Sequence, residues 1–160
     1  MKVATPALTA LERAAAHFIT HSFSVDPSHQ NLGYGKTAAE ALGIDQERVF
    51  KTLLVESDMG PIVGIVPVNK QLSMKAIAVV VGAKHCQLLD AQYVARISGY
   101  VVGGVSPFGQ KRLLPTIIDE TALLFDTIFV SGGRRGLDVE VAPSILISLL
   151  NAIAAAVATS

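Results

Sequence analysis

With 160 residues, 51% of them hydrophobic and only 16% charged, the chain has the length and apolar content for one self-sufficient core and no disordered charged tail. Thirteen basic and thirteen acidic residues cancel, so a nucleic-acid partner must be held by a local basic patch and not by a global field. The only cysteine, Cys86, excludes an intramolecular disulfide and a thiolate metal cluster.

The N-terminal stretch opens with Thr5-Pro6, a side-chain cap followed by a first-turn proline. Leu8, Leu11, Ala15 and Phe18 then recur at helical spacing and predict a helix to about His17. Glu12 and Arg13 interrupt this stretch, so it does not read as a secretory signal. Phe18 to Val25 reads as a strand, Asp26 to Lys36 as a loop, and Thr37 to Leu42 as a short helix stopped by Gly43. Val49 to Glu56 and Pro61 to Val68 form a hairpin across the turn-like Ser57 to Gly60. Ser73 to Val81 is helical and ends at Gly82, and His85 to Leu89 is a strand. Asp90 caps a helix that ends at Gly99. Tyr100 to Val102 leads like a strand into the glycine-rich loop Gly103 to Gly109. Leu113 to Ile118, Thr127 to Ser131 and Leu137 to Val141 are further strands, and Pro143 begins the last helix. The apolar run Ile145 to Ala158 is broken by Ser148 and Asn151 and is shorter than the roughly 20 residues of a membrane span. Helices and strands mix without a βαβ rhythm, which predicts an α+β domain around a mixed sheet, in a cytosolic protein.

The strand Phe50 to Glu56 carries an anomaly. Alternation puts Lys51 on the face of Leu53 and Val55, with Phe50, Thr52 and Leu54 opposite. Both faces are largely apolar, as in a central strand, and an ammonium there needs a polar partner or a wet cleft. The bland alternative is a gatekeeper lysine on an edge strand, and the residues alone leave both open.

Two loops repeat one design. Tyr100 to Arg112 runs through Gly103-Gly104, Ser106-Pro107 and Gly109 to Lys111-Arg112. Phe129 to Val141 runs through Ser131-Gly132-Gly133 to Arg134-Arg135, Gly136 and Asp138. Successive glycines turn backbone N–H groups outward into an anion-binding concavity, and such donors also stabilise an oxyanion. Either loop alone is equally a tight turn with a solvated charged tip; two in one chain could converge on a phosphodiester.

Other patterns lead nowhere. Gly35-Lys36-Thr37 resembles the tail of a phosphate-binding loop, but Gln30 stands where its first glycine belongs. Ser106 is not in a nucleophile elbow, His17, His21, His29 and His85 lack metal-ligand spacing, and Cys86 reads as an inert core residue. The expectation is a site with no metal, no cofactor and no strong protein nucleophile.

In FKTLLV (50–55), GYVVGGVSPFGQK (99–111), LPTIID (114–119) and SGGRRGLDVEVAP (131–143), the chain resembles the Cys-tRNA(Pro) deacylase family of the YbaK/EbsC type, related to the editing domain of bacterial prolyl-tRNA synthetase. The resemblance implies one editing domain over residues 1–160. It implies a twisted, barrel-like, mixed and mostly antiparallel sheet of about six to seven strands with surrounding helices. It places the family's indispensable lysine at Lys51, with Thr52 beside it, and the glycine whose amide holds the aminoacyl carbonyl at Gly103, next to Gly104. Ser106, Ser131, Gly132, Gly133 and Asp138 fall on substrate-pocket positions, and Tyr34 matches an aromatic of the rim. Phe23 stands where many relatives carry tyrosine. Lys111, Arg112, Arg134 and Arg135 are the candidates for tRNA phosphates.

Members of the family are similar in lacking a hydrolytic nucleophile: the thiol of the substrate's own cysteine is thought to attack the ester and leave as a thiolactone. The implied activity is removal of cysteine from Cys-tRNA(Pro), with Cys-tRNA(Cys) as a further substrate. The alternatives are the sister activity on Ala-tRNA(Pro) and a non-catalytic module that binds tRNA or a synthetase. The run from Gly103 to Lys111 resembles the cysteine branch more. The implied partners are the acceptor end of aminoacyl-tRNA and prolyl-tRNA synthetase, with neither membrane nor DNA.

Overall fold

The computed structural model describes residues 4–25 and 34–160, with the Tyr34 side chain excluded. In chain order the elements are α1 (Pro6–Arg13), β1 (Ile19–Ser22), α2 (Tyr34–Leu42), β2 (Phe50–Ser57), β3 (Ile62–Pro67), β4 (Gln71–Leu72), α3 (Met74–Val81), β5 (Cys86–Leu88), α4 (Ala91–Ser98), β6 (Thr116–Asp119), β7 (Ile128–Arg134), β8 (Leu137–Val141), α5 (Pro143–Leu150), β9 (Ile153–Ala155) and β10 (Ala158–Thr159). This is the expected α+β mixture, with the strands cut shorter and spread over more pieces. Among the described residues they form a five-stranded sheet in the order β5-β2-β3-β6-β9, a three-stranded sheet β1-β8-β7, and the pair β10-β4. The five-stranded sheet is mixed: β2 pairs antiparallel with β3 and β5, whereas β3–β6 and β6–β9 are parallel. Among the described residues no sheet closes on itself into a barrel, and no helix is long and apolar enough to cross a membrane.

Apolar periodicity explains the packing. Phe50 and Leu54 of β2 enter the main core with Leu8 and Leu11 of α1, Ile128 and Val130 of β7, and Leu146 of α5. Val55, on the other face, enters a second core with Ile62, Ile77 and Ile117. A small third core lies under α2, where Ala39 meets Val49, Val68 and Phe129. Helix α2 can sit this low because its second residue is Gly35: a Cβ there would strike the Val68 side chain.

Several boundaries differ from expectation for local reasons. Helix α1 stops at Arg13, because Ala15 turns into the left-handed region at φ 53° and Ala16 N–H bonds back to Leu11 O at 3.0 Å. Helix α2 begins at Tyr34, three residues before Thr37; the rest of the expected Asp26 to Lys36 loop up to residue 33 lies outside the described residues. Tyr100 to Val102 is not a strand. The last helix ends at Leu150, where Asn151 adopts φ 50°, and the remaining apolar chain becomes β9 and β10. Asn is among the few side chains that accept that conformation at modest cost. The buried Asp119 anchors this tail: its Oδ1 accepts from Val157 N–H at 3.0 Å and Ala158 N–H at 2.9 Å, and its Oδ2 from Thr121.

Candidate functional site

Val49, the residue before β2, forms an isolated parallel bridge with Phe129 of β7. Beyond it the two strands separate. On β2 the ladder to β5 resumes only at Val55, paired with Leu88. On β7 the pairing with β8 slips between Ser131 and Arg134, where Gly132 and Gly133 form an irregularity. The divergence opens a cleft of about 740 Å³ that takes in six consecutive residues, Val49 to Leu54, along one side.

Lys51, Thr52 and Phe23 line this cleft, together with Gly103, Ser131 and Asp138, and with Arg134 and Arg135. The lysine and the glycine loop therefore face the same space. The two glycine loops also touch: a Cβ on Gly104 would lie 2.9 Å from Arg134 Cα, and the Arg135 guanidinium donates to Val102 O at 2.9 Å.

Within the first loop the roles separate. Gly104 N–H is spent on Val101 O at 2.9 Å. Gly103, at φ 90°, lines the cleft, and its N–H has no hydrogen-bond partner among the described residues. Only one of the expected pair of amides is thus available to a substrate carbonyl.

Three expected contact residues sit behind the cleft and do not line it. Ser106 is fully buried, its Oγ accepting from Phe108 N–H at 3.2 Å, while Gln110 Nε2 donates to its carbonyl at 2.9 Å; it ties the loop. Gly132 O accepts from Thr5 Oγ1 at 2.6 Å, and Gly133 N–H donates to Ser131 Oγ at 3.1 Å. Gly133 has φ 106°, and any side chain there would meet Thr5 and the Tyr100 ring. Lys111 and Arg112 are exposed elsewhere: the Lys111 stem lies against Gly99, and Arg112 borders a separate hollow beside Leu113 and Leu149. The second basic pair reaches the cleft and the first does not. The Tyr34 side chain lies outside the described residues.

The sequence reading missed Lys36 and Lys70, both of which line the cleft. Lys70 follows the end of β3 and lies in no motif, whereas Lys36, in the first turn of α2, belongs to the Gly35-Lys36-Thr37 run set aside as an incomplete phosphate-binding loop. With Lys51, Arg134 and Arg135 they form the local cationic surface that a neutral chain requires to hold a polyanion. Burial, and then the charge of Lys36, hold the Lys51 ammonium below its ordinary pKa. Lys51 has no ion pair among the described residues. Two cations left near each other without a counter-charge favour an anionic ligand between them.

Asp138 has the opposite character. It is 7% exposed, and burial alone pushes its carboxyl up to about 7. Its strand register places it opposite His21 on β1 and Ser131 on β7. The His21 imidazole is turned to Glu140, Nε2 to Oε1 at 3.0 Å. Thr52 adds a second uncompensated group, because its buried Oγ1 has no hydrogen-bond partner. Cys86 lies on β5, outside the cleft lining. Among the described residues, no group of three His, Cys, Asp or Glu side chains is placed to hold a metal ion.

Comparison with known proteins converges on one family. The family model for the aminoacyl-tRNA editing domain matches residues 33–149. A protein of Enterococcus faecalis that bears the provisional name Cys-tRNA(Pro)/Cys-tRNA(Cys) deacylase EbsC is 34% identical over 92% of this chain and 88% of its own length. A proline–tRNA ligase of Maridesulfovibrio salexigens is 28% identical over 61% of this chain, a stretch that makes up 16% of the ligase. The fold is that of a crystal structure described as a provisional trans-editing enzyme for prolyl tRNA synthetase, with a TM-score of 0.84 and 23% identity over 99% of this chain and 100% of the other. The hypothetical protein APE2540 superposes with a TM-score of 0.85 at 22% identity, covering 97% of this chain and all of its own.

Proposed function

The chain belongs to the aminoacyl-tRNA editing domain family, and from that premise we propose that it is a trans-editing deacylase that removes cysteine from Cys-tRNA(Pro). The observation that carries this reading is that the Lys51 ammonium and the unspent Gly103 amide line one cleft.

In this reading the acceptor end enters the cleft with its phosphates along Lys36, Lys70, Arg134 and Arg135. Lys51 fixes the terminal nucleotide by charge-assisted contact. Gly103 N–H meets the carbonyl oxygen of the aminoacyl ester and stabilises the charge that grows on it. Ionised Asp138 is the counter-charge for the substrate's α-ammonium, with Ser131 beside it. Held so, the cysteine thiol attacks its own carbonyl. The S–C bond forms, the C–O bond to ribose breaks, and the thiol proton ends on the ribose oxygen. Products are a thiolactone and uncharged tRNA. The protein contributes positioning and charge stabilisation.

The neutral net charge gives such a protein a weak, salt-sensitive hold on RNA. Selection of tRNA(Pro) therefore improves when the protein acts beside prolyl-tRNA synthetase. The test is a deacylation assay on Cys-, Ala- and Pro-tRNA(Pro), with trapping of thiolactone among the products. Preferential loss of cysteine with thiolactone release is the expected result. Preferential loss of alanine makes the chain the sister enzyme, and free cysteine without thiolactone makes it a hydrolase.

A further inference from the structure

The longest uninterrupted stretch of the cleft wall is a bare strand edge. Two hydrogen bonds fix which main-chain groups face it. Val68 N–H donates to Val49 O at 2.8 Å on the β3 side, and Leu89 N–H donates to Leu54 O at 3.0 Å on the opposite side. Main-chain groups alternate along a strand. The even-numbered residues Phe50, Thr52 and Leu54 therefore direct theirs away from β3, where Leu89 takes the Leu54 carbonyl and Phe50 C=O and the Thr52 groups are left to the cleft. No strand pairs with this edge between the Val49–Phe129 bridge and the Val55–Leu88 pair among the described residues. Phe50 C=O and Thr52 N–H form an acceptor–donor couple on it.

We infer that this edge reads the Watson–Crick side of the tRNA's terminal adenine, with Phe50 C=O accepting from the 6-amino group and Thr52 N–H donating to N1. The inference rests on the editing function proposed above. Three observations select a nucleobase over an extended peptide. Between the Val49 bridge and the Val55 pair the open edge spans roughly 20 Å, and pairing at both ends keeps an extended strand from running through it. Its flanks are apolar, with Leu53, Leu89, Val94 and Val105 in the lining, as a flat ring requires. Its rim carries Lys36 and Lys70, where a nucleotide's phosphate would lie. The buried Thr52 Oγ1, which has no protein partner, gains one from the bound nucleoside.

The test is NMR titration of the ¹⁵N-labelled full chain with 5′-AMP, the 5′-monophosphate of purine riboside (which lacks the 6-amino group), 7-deaza-AMP and CMP. The expected result is that AMP and 7-deaza-AMP bind alike and shift the Thr52 and Leu54 amides. Purine riboside monophosphate should bind about three- to tenfold more weakly, the worth of one hydrogen bond, and CMP more weakly still. Thr52→Val, which keeps the main chain, should weaken AMP while preserving the preference for AMP over CMP. Equal affinity for all four nucleotides, or unmoved Thr52 and Leu54 amides, overturns the inference. So do shifts of these amides with a blocked tetrapeptide and none with AMP. Deacylation of Cys-tRNA(Pro) is measured on the same preparation. Turnover without base preference removes only this inference, and base preference without turnover on any aminoacyl-tRNA removes only the editing function.

Discussion

Val49, just before β2, and Phe129 of β7 form an isolated bridge, and the cleft begins where the two strands part. Two residues further on, β2 presents Lys51 and β7 presents Ser131, and Ser131 is the cross-strand partner of Asp138. The bridge thus sets the cation of one sheet across an opening from the carboxyl of the other. Phe129 is held there by packing against Ala39, Val49 and Val68, and by Arg48, whose guanidinium carbon stands 5.2 Å from the ring centroid.

Replacing Lys51 by methionine should abolish deacylation, by about 100-fold or more, because on the proposed reading this group fixes the substrate. The fold should not suffer. Burial holds the ammonium below its ordinary pKa, so the charge destabilises the folded state at pH 7, and that penalty fades as pH rises through the lowered value. Urea unfolding at pH 7 should find the variant within about 1 kcal/mol of the parent or more stable. A variant that is folded and still turns over substrate removes Lys51 from the site.

Asp138 carries a pH signature. Its carboxyl stands at about 7 against 3.8 for the ordinary group, so between these values the folded state binds the proton that the unfolded state has lost. Stability must therefore fall as pH rises across that window, by roughly 4 kcal/mol in full. Asp138→Asn should flatten the dependence and exceed the parent at pH 8 by about 2 kcal/mol, while losing activity with the substrate's counter-charge. Parallel stability profiles for the two proteins between pH 4 and 8 would contradict this assignment.

Much of this arrangement was legible in the residues. Alternation in Phe50 to Glu56 announced a strand covered on both faces with one misplaced ammonium, and β2 is that strand. Gly82 and Gly99 marked two helix ends, and both are left-handed caps. What was not legible depends on distant partners. The Gly104 amide looked like its neighbour's until Val101 O was found to hold it. Ser106 was expected among the substrate-pocket positions, yet it is buried by residues that periodicity does not place. The end of the last helix was not legible, because the apolar content of the tail satisfies either state; Asp119, in another element, anchors that tail through Val157 and Ala158.

Gly104→Ala separates shape from chemistry in the first loop. An added Cβ would stand 2.9 Å from Arg134 Cα and 3.1 Å from its carbonyl carbon, and a backbone neighbour cannot swing aside as a side-chain tip can. The loops must move apart, at a cost of about 1–3 kcal/mol, carrying Gly103 away from the substrate carbonyl. The expected kinetic result is a fall in kcat larger than the rise in KM, since the lost contact forms chiefly in the transition state. A pure KM effect would place Gly103 in ground-state binding instead.

Asp119→Ala tests the anchor of the C-terminal strands. The carboxylate accepts from Val157 N–H and Ala158 N–H through one oxygen and from Thr121 N–H and Oγ1 through the other. Alanine would leave buried donors unpaired, because Asp119 itself is 3% exposed and Val157 fully buried. The expected destabilisation is about 3 kcal/mol or more, read by urea unfolding. Asp119→Asn, which keeps one acceptor oxygen, should recover roughly half of it. Hydrogen exchange should locate the damage: Ser73 N–H, bonded to Val157 O at 2.8 Å, should lose protection first, because among the described residues β10 and β4 are paired only with each other. Uniform loss of protection across β2 and β3 as well would mean that the anchor supports the whole sheet and not this corner alone.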